Sequence, residues 1–329
     1  VTNFHFEITA DLLDQETIDF LKTVRKGLFQ FEIGVQSTNE KTIQAINRNV
    51  NFTKLSGIVR QIKEGNNIHQ HLDLIAGLPY EDYASFERSF NDVYALGPEQ
   101  LQLGFLKVLK GSMIYQRQKD FEIVYQDTAP YEVLTTHVLP YVDTLRLKYV
   151  EEMVESYYNS GKFLHTLDYL VPLYDTPFSF FEQLSQYWVA ENCHYQSKSK
   201  LGLFDILSRF VQQNERVQTR KFQWLLKFDL ALHEKPRKLP AWLTVSNDAR
   251  WHDGVFAFYC AAEQIGQYLP HYRGIENKVV ARQTHLEVFG DGNPTAVVFD
   301  YVHKDLLGNA EYKIVPLELL QALCQTDEK

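Results

Sequence analysis

Cysteine is scarce in this chain: Cys193, Cys260 and Cys324 are all it has. Their spacing is far too wide for a compact ligand motif, and no Cys-x3-Cys-x2-Cys occurs. The sequence therefore offers no local thiolate triad for a metal cluster, and the expected metal ligands number none. An odd count of three also argues against a disulfide framework and for buried thiols in a reducing cytoplasm. Long apolar runs are absent too, none reaching the roughly 18 residues of a membrane span. No signal peptide opens the chain. Gly-rich phosphate loops of the GxGxxG or GxxxxGK[ST] type are missing, and no GxSxG elbow supplies a hydrolase nucleophile. The net charge of −9 opposes broad nucleic-acid binding. KSKLGLF (198–204) and RKLP (237–240) are basic patches too small to reverse that reading. No repeat or low-complexity tract is present.

What is there has globular composition. The 329 residues are 45% hydrophobic and 23% charged, enough for a good core and two domains. Residues 1–115 alternate strand-like and helix-like segments. FHFEI (4–8) reads as a strand, and Asp14 as the cap of a helix whose apolar face carries Ile18, Leu21 and Val24. FEIGV (31–35) is the next strand. Thr53 is expected to cap a helix carrying Leu55, Ile58, Val59 and Ile62, which stops near Gly65. HLDLIA (71–76) is a strand ending in Gly77-Leu78-Pro79. Phe86, Phe90 and Val93 mark a helix, and LQLGFLKVL (101–109) a fourth strand. Strands separated by single helices predict parallel β/α units. The strands look nearly continuously apolar, as when helices cover a sheet. Such sheets bind ligands at the carboxyl ends of their strands, where Gln36, Asp73, Gly77 and Lys110 fall. The fold class predicted is α/β: a partial (β/α) half-barrel, TIM-like, of parallel strands, followed by a mostly helical region.

That second region, 116–329, loses the rhythm. Helices are expected at 142–158, 178–192, 201–213 and 254–267, and EKPRKLP (234–240) reads as a turn or linker. VVARQTHLEVF (279–289) and TAVVFDYV (295–302) predict an antiparallel hairpin turning at GDGNP (290–294). Aromatic-dense TPFSFFEQLSQYWV (176–189) and WHDGVFAFYC (251–260) read first as helical core; a pocket for a large apolar substrate or a corrin ring is the alternative. Glu7 and Glu32, inside apolar strands, fit a polar barrel lumen and are the candidate catalytic acids. His69 and His71 share one side of a strand but lack a third ligand. Glu151 and Glu152 read as a solvated helix face.

HLDLIAGLPYED (71–82), with its IxGLP turn, together with FEIGVQS (31–37) and TIQAINRN (42–49), resembles the later strands of a radical S-adenosylmethionine (SAM) barrel. The resemblance covers about a third of the chain. It is nearest to the branch holding the oxygen-independent coproporphyrinogen oxidases and the cobalamin-binding radical SAM proteins, and the remainder is similar to an uncharacterised extension of some cobalamin-type members. It implies that Gln36 and Asp73 hold the SAM ribose hydroxyls or nearby polar atoms and that Arg48 pairs with the methionine carboxylate. Ile75 and Gly77 would form the adenine-side surface, and Leu109, Lys110 and Gly111 would close the adenosine site. The implied chemistry is that of an Fe-S oxidoreductase or transferase: a [4Fe-4S] cluster reduces SAM to methionine and a 5′-deoxyadenosyl radical.

With the cluster triad missing and Val1 rather than Met in first place, the chain is expected to be a carboxyl-terminal piece, inactive alone, of a longer enzyme. Expected partners are an upstream cluster-binding domain, a cobalamin-binding domain in some relatives, an electron donor and an unknown small-molecule substrate. No membrane and no nucleic acid are expected. The first strand of a cut barrel would leave an open edge, which a dimer could cover. Two other readings remain open: a β/α enzyme for another small ligand, and a non-enzymatic interaction module.

Overall fold

The computed structural model describes residues 2–195, 199–236, 239–245, 249–305 and 308–326, with the side chains of 324–326 excluded. Lys198, Arg237, Lys238 and the thiol of Cys324 thus lie outside the described residues. The chain divides into two compact units, one from 1–161 and 174–196, the other from 162–173 and 197–329.

Local signals build the first unit. Asp14 accepts a 2.8 Å hydrogen bond from Thr17 N and starts α1 (Gln15–Thr23). Strand β1 (Phe4–Ile8) precedes it, and β2 (Phe29–Gln36), α2 (Glu40–Ala45), α3 (Phe52–Glu64), β3 (His69–Ala76), α4 (Tyr83–Tyr94) and β4 (Gln100–Phe105) follow. The cap of α3 is Asn51, whose side chain accepts from Lys54 N at 2.9 Å, and not Thr53, which lies inside the helix. Asn51 stands three residues before that amide, the reach a short side chain needs to satisfy a first-turn N–H.

All four strands run parallel in the order β1-β2-β3-β4. They are not the continuous apolar runs expected. Burial alternates along β2 and β3. Phe31, Ile33, Val35, Leu72, Leu74, Leu101 and Leu103 are buried on one face. This is the face of the helices, which bury Ile18, Leu21, Leu55, Val59, Phe86 and Phe90. The period of two then puts His5, Glu7, Gln30, Glu32, His71, Asp73 and Gln102 together on the opposite, polar face. A parallel sheet with helices on one side and polar side chains on the other is consistent with a partial barrel.

The edges of this sheet differ. Beyond β4, residues 116–161 supply cover. Helix α5 (Met113–Arg117) leads to a two-stranded ribbon, β5 (Val124–Tyr125) and β6 (Val133–Thr135), and then to α6 (Tyr141–Met153). A π-helical turn at Val154–Asn159 ends α6. Its Asn159 amide accepts from Leu101 N at 2.9 Å and donates to Leu101 O at 3.0 Å, as a neighbouring strand would. Val133 N donates to Leu106 O at 2.8 Å just beyond β4. On the other edge β1 is largely exposed, with Phe4 and Phe6 nearly half accessible. Helix α8 (Pro177–Ala190) packs Phe178 and Phe181 against Phe90 of α4; its aromatics are core.

The second unit carries α7 (Leu164–Leu170), α9 (Lys200–Val211), α10 (Thr219–His233), α11 (His252–Cys260), α12 (Ala262–Tyr268) and α13 (Asn277–Gln283). Three antiparallel strands follow, β7 (Thr284–Phe289), β8 (Thr295–Lys304) and β9 (Ala310–Val315), then α14 (Leu317–Thr326). The expected hairpin is present but is one strand larger, and residues 279–283 are helical. Five successive buried residues in β8 follow from cover on both faces. Ala296 and Val298 pack with Trp251 and Phe258, and Val297 and Phe299 pack with Trp224 and Phe289. Among the described residues no helix is long and apolar enough to cross a membrane.

Candidate functional site

The polar face ends, at the carboxyl ends of β3 and β4, in a cavity of about 530 Å³. Gln36, Asp73, Ile75, Gln102, Lys107 and Lys148 line it, with Gly104, Phe105, Glu132 and Glu151. Each position has a local cause. A register shift between Gly34 and Gln36 turns the end of β2, and Gln36 adopts φ +69. For a residue other than glycine that conformation costs about 1–2 kcal/mol. At Gly34 a Cβ would lie 2.5 Å from Gln36 Nε2 and 3.2 Å from Arg48 Nη1. Glycine there makes room for both side chains, and Arg48 Nη1 donates to Gly34 O at 3.1 Å. Gln36 and Arg48, twelve residues apart in the chain, thus meet beside one backbone position.

Asp73 is the most perturbed group of this face. Burial, then the Glu32 and Glu7 carboxylates, hold its carboxyl well above the usual carboxylate range. Its Oδ1 is buried without a hydrogen-bond partner, an arrangement that costs about 1–3 kcal/mol unless something else supplies the donor. Glu7 and Glu32 are register neighbours on β1 and β2. Glu32 pairs with His5 at 3.1 Å, and Asp73 is close enough to Glu32 for the two to share a proton. Behind them His71 bonds Gln30 at 2.9 Å. Burial, reinforced by His69 and His5, lowers His71 to about 4, and burial lowers His69, so both rings are neutral at pH 7. Among the described residues no three His, Cys, Asp or Glu side chains converge on a metal position.

The opposite wall comes from residues that the sequence did not point to as site residues. Lys148 of α6 forms an ion pair with Glu132 and stacks its Nζ 4.1 Å from the Phe105 ring. Glu151, expected on a solvated face, lines the cavity, and burial raises its pKa. Its neighbour Glu152 accepts from His194 at 2.7 Å. Gln102 could have been found, since it pairs in register with Asp73. Lys107 and Lys148 had no such signal. Lys110 is exposed, 6.0 Å above the Tyr131 ring, and does not line the cavity. Gly77 takes φ +84, and a Cβ there would lie 2.6 Å from Val133 Cγ1. The close approach its glycine permits is to β6 of this chain.

Residues 119–296 match a family described as "Protein of unknown function (DUF4080)". No curated protein matches the chain. Similar solved structures include coproporphyrinogen III oxidase (HemN) from Escherichia coli, described as a radical SAM enzyme. It is 19% identical over 48% of this chain and 34% of its own, with a TM-score of 0.36. Elp3 from the archaeon Methanocaldococcus infernus is 16% identical over 36% of this chain and 28% of its own, with a TM-score of 0.32. The radical SAM methyltransferase TsrM from Kitasatospora setae is 14% identical over 31% and 19%, with a TM-score of 0.27. The chain spans only about a third or less of the length of these proteins.

Proposed function

The chain belongs to the DUF4080 family of proteins of unknown function, which matches residues 119–296, and we propose from the residues before that match that the first unit is the SAM-holding part of a radical SAM barrel. One observation carries the reading. Gln36, Asp73 and Ile75, singled out by the sequence resemblance, line a single cavity at the carboxyl edge of a parallel sheet, with Arg48 beside Gln36. The fit to SAM rests on the unpartnered, buried Oδ1 of Asp73, which lacks a donor such as a ribose hydroxyl. Gln36 would bind alongside it, Ile75 would contact the adenine, and Arg48 would meet the carboxylate. Gly77 and Lys110 have less support, since Val133 and Tyr131 are their neighbours.

Held by Gln36, Asp73 and Arg48, SAM would supply radical hydrogen-abstraction chemistry when a reductant from outside these residues cleaves it, with methionine as the leaving group. This chain's residues would orient it, exclude water and hold a proton between Glu32 and Asp73. The described residues do not fit a [4Fe-4S] cluster. Cys193 is buried and Cys260 is exposed, and among the described residues no three metal-ligating side chains converge at either. Cluster thiolates, an electron donor and any cobalamin would therefore come from outside these residues.

The test is calorimetric titration with S-adenosylhomocysteine, which binds without reacting. One-site binding is expected, weakened about tenfold or more in Asp73→Ala and Arg48→Ala, as for loss of a charge-assisted hydrogen bond. A folded chain that takes up no S-adenosylhomocysteine overturns the reading.

A further inference from the structure

The second unit holds a separate cavity of about 710 Å³, within the range of small-molecule pockets. Its apolar wall is an aromatic cluster. Phe289 lies edge-on to Trp224 at 6.2 Å and to Phe228 at 5.2 Å. Rings in such cross-packing leave flat faces and slots that suit a planar guest.

One side chain in this wall, His165, is fixed by a buried carboxylate. Asp229, almost fully buried on α10, accepts from the backbone N–H of Thr166 at 2.8 Å and of His165 at 3.2 Å, at the start of α7. It also takes the His165 Nδ1 at 2.9 Å. The imidazole is thereby fixed with Nδ1 as donor, and its ring stands edge-on to Phe228 at 4.7 Å. That leaves Nε2, which has no partner among the described residues, on the ring edge away from Asp229. The ring lines the cavity and is about 31% exposed. The hydrogen bond to Asp229 also raises the His165 pKa.

The rim is built for negative charge. Helix α10 begins here: Thr219, Arg220 and Lys221 line the cavity. The helix has neither a side-chain cap nor an acidic residue in its first turn. The first turn of α10, whose residues line the rim, thus carries no side-chain acceptor to offset the positive end of the helix. Arg220 is neutralised by a bidentate pair with Asp291 at 2.7 Å, which holds Asp291 at about 2. Lys221 Nζ lies 4.5 Å from the Tyr169 ring and has no ion-pair partner among the described residues.

We propose that this cavity binds a flat, mostly aromatic organic anion, its rings against Trp224, Phe228 and Phe289 and its anionic group between His165 and Lys221. The proposal is independent of the SAM reading, since every residue it uses lies in the second unit.

The test uses the intact chain and two fluorescent probes, 8-anilino-1-naphthalenesulfonate and its uncharged analogue N-phenyl-1-naphthylamine. The sulfonate is expected to bind with a stoichiometry near one and at least about tenfold more tightly than the neutral analogue. Lys221→Glu and His165→Gln should each weaken it about tenfold, the size of one charge-assisted hydrogen bond. Lys221 is exposed, so its variant tests the idea even if His165→Gln folds poorly. Equal affinity for the two probes, or sulfonate binding unmoved by Lys221→Glu, overturns the proposal. So does a stoichiometry well above one.

Discussion

At the scale of residues, the sharpest consequence concerns Glu81. It follows the GLPY turn, is 1% exposed, and accepts from Ser37 Oγ at 2.7 Å and Ser89 Oγ at 2.8 Å. Its Oε2 has no partner. Burial outweighs the two hydroxyls and pushes its pKa from 4.5 to about 7. Between those values the folded state binds more protons than the unfolded one, so stability falls as pH rises and then levels above about 7. The full span is on the order of 3 kcal/mol. Glu81→Gln, neutral throughout, should flatten this part of the profile and be the more stable protein above pH 7. Urea denaturation of both proteins from pH 4.5 to 8 measures it. An unchanged pH slope in Glu81→Gln would assign the effect elsewhere. Gly77 makes the complementary point about legibility. The IxGLP turn announced a glycine with a purpose, but the partner on its open side is Val133, fifty-six residues on. No local pattern could have named that partner.

At the scale of elements, capping and periodicity carried most of the first unit. Asp14 caps where expected, and the four strands and three of the helices between them lie where their apolar spacing put them. The α3 cap shows how near neighbours can be confused. Asn51 and Thr53 both suit a cap chemically, and only the geometry of the first turn selects Asn51. Asn51→Ala should cost about 1 kcal/mol, and Thr53→Ala a few tenths. Thermal melts that give the reverse order would contradict the assigned cap. Burial of β2 and β3 on alternate residues was present in FEIGVQ and HLDLIA as written, with Glu32, Gly34, Gln36 and Asp73 on one phase. Glu7 and Glu32 were legible as lumen residues, but reading the strands as nearly continuously apolar left the rest of that polar face, His71 and Gln102 among it, unassigned. In the second unit, β9 and α10 escaped notice. Alternation in AEYKIV is weak, and α10 mixes charged and apolar residues nearly all round.

At the scale of the whole molecule, the division drawn at residue 115 from texture and resemblance is one partition of the chain, and compact packing draws another. Residues 116–161 cover the outer edge of β4 within the first unit. Asn159 is the sharpest instance. Its amide satisfies both backbone groups of the buried Leu101 across 58 residues of sequence. Asn159→Ala leaves those groups unpaired and should cost about 2–3 kcal/mol. A loss below about 0.5 kcal/mol by chemical denaturation would mean that water or another group takes its place.

By itself the sequence determined the parallel β/α class, the polar phase of the strands and the presence of Gln36 and Asp73 at one sheet edge. These follow from rules that act over a few residues: the period of two, the capping reach and the helical period. Only the tertiary structure decided which side chains complete the sites. Lys148 and Glu151 reach the first cavity from α6, and Asp229 fixes His165 from another helix. Those meetings depend on how elements pack, and packing is set by total burial and shape rather than by any one segment.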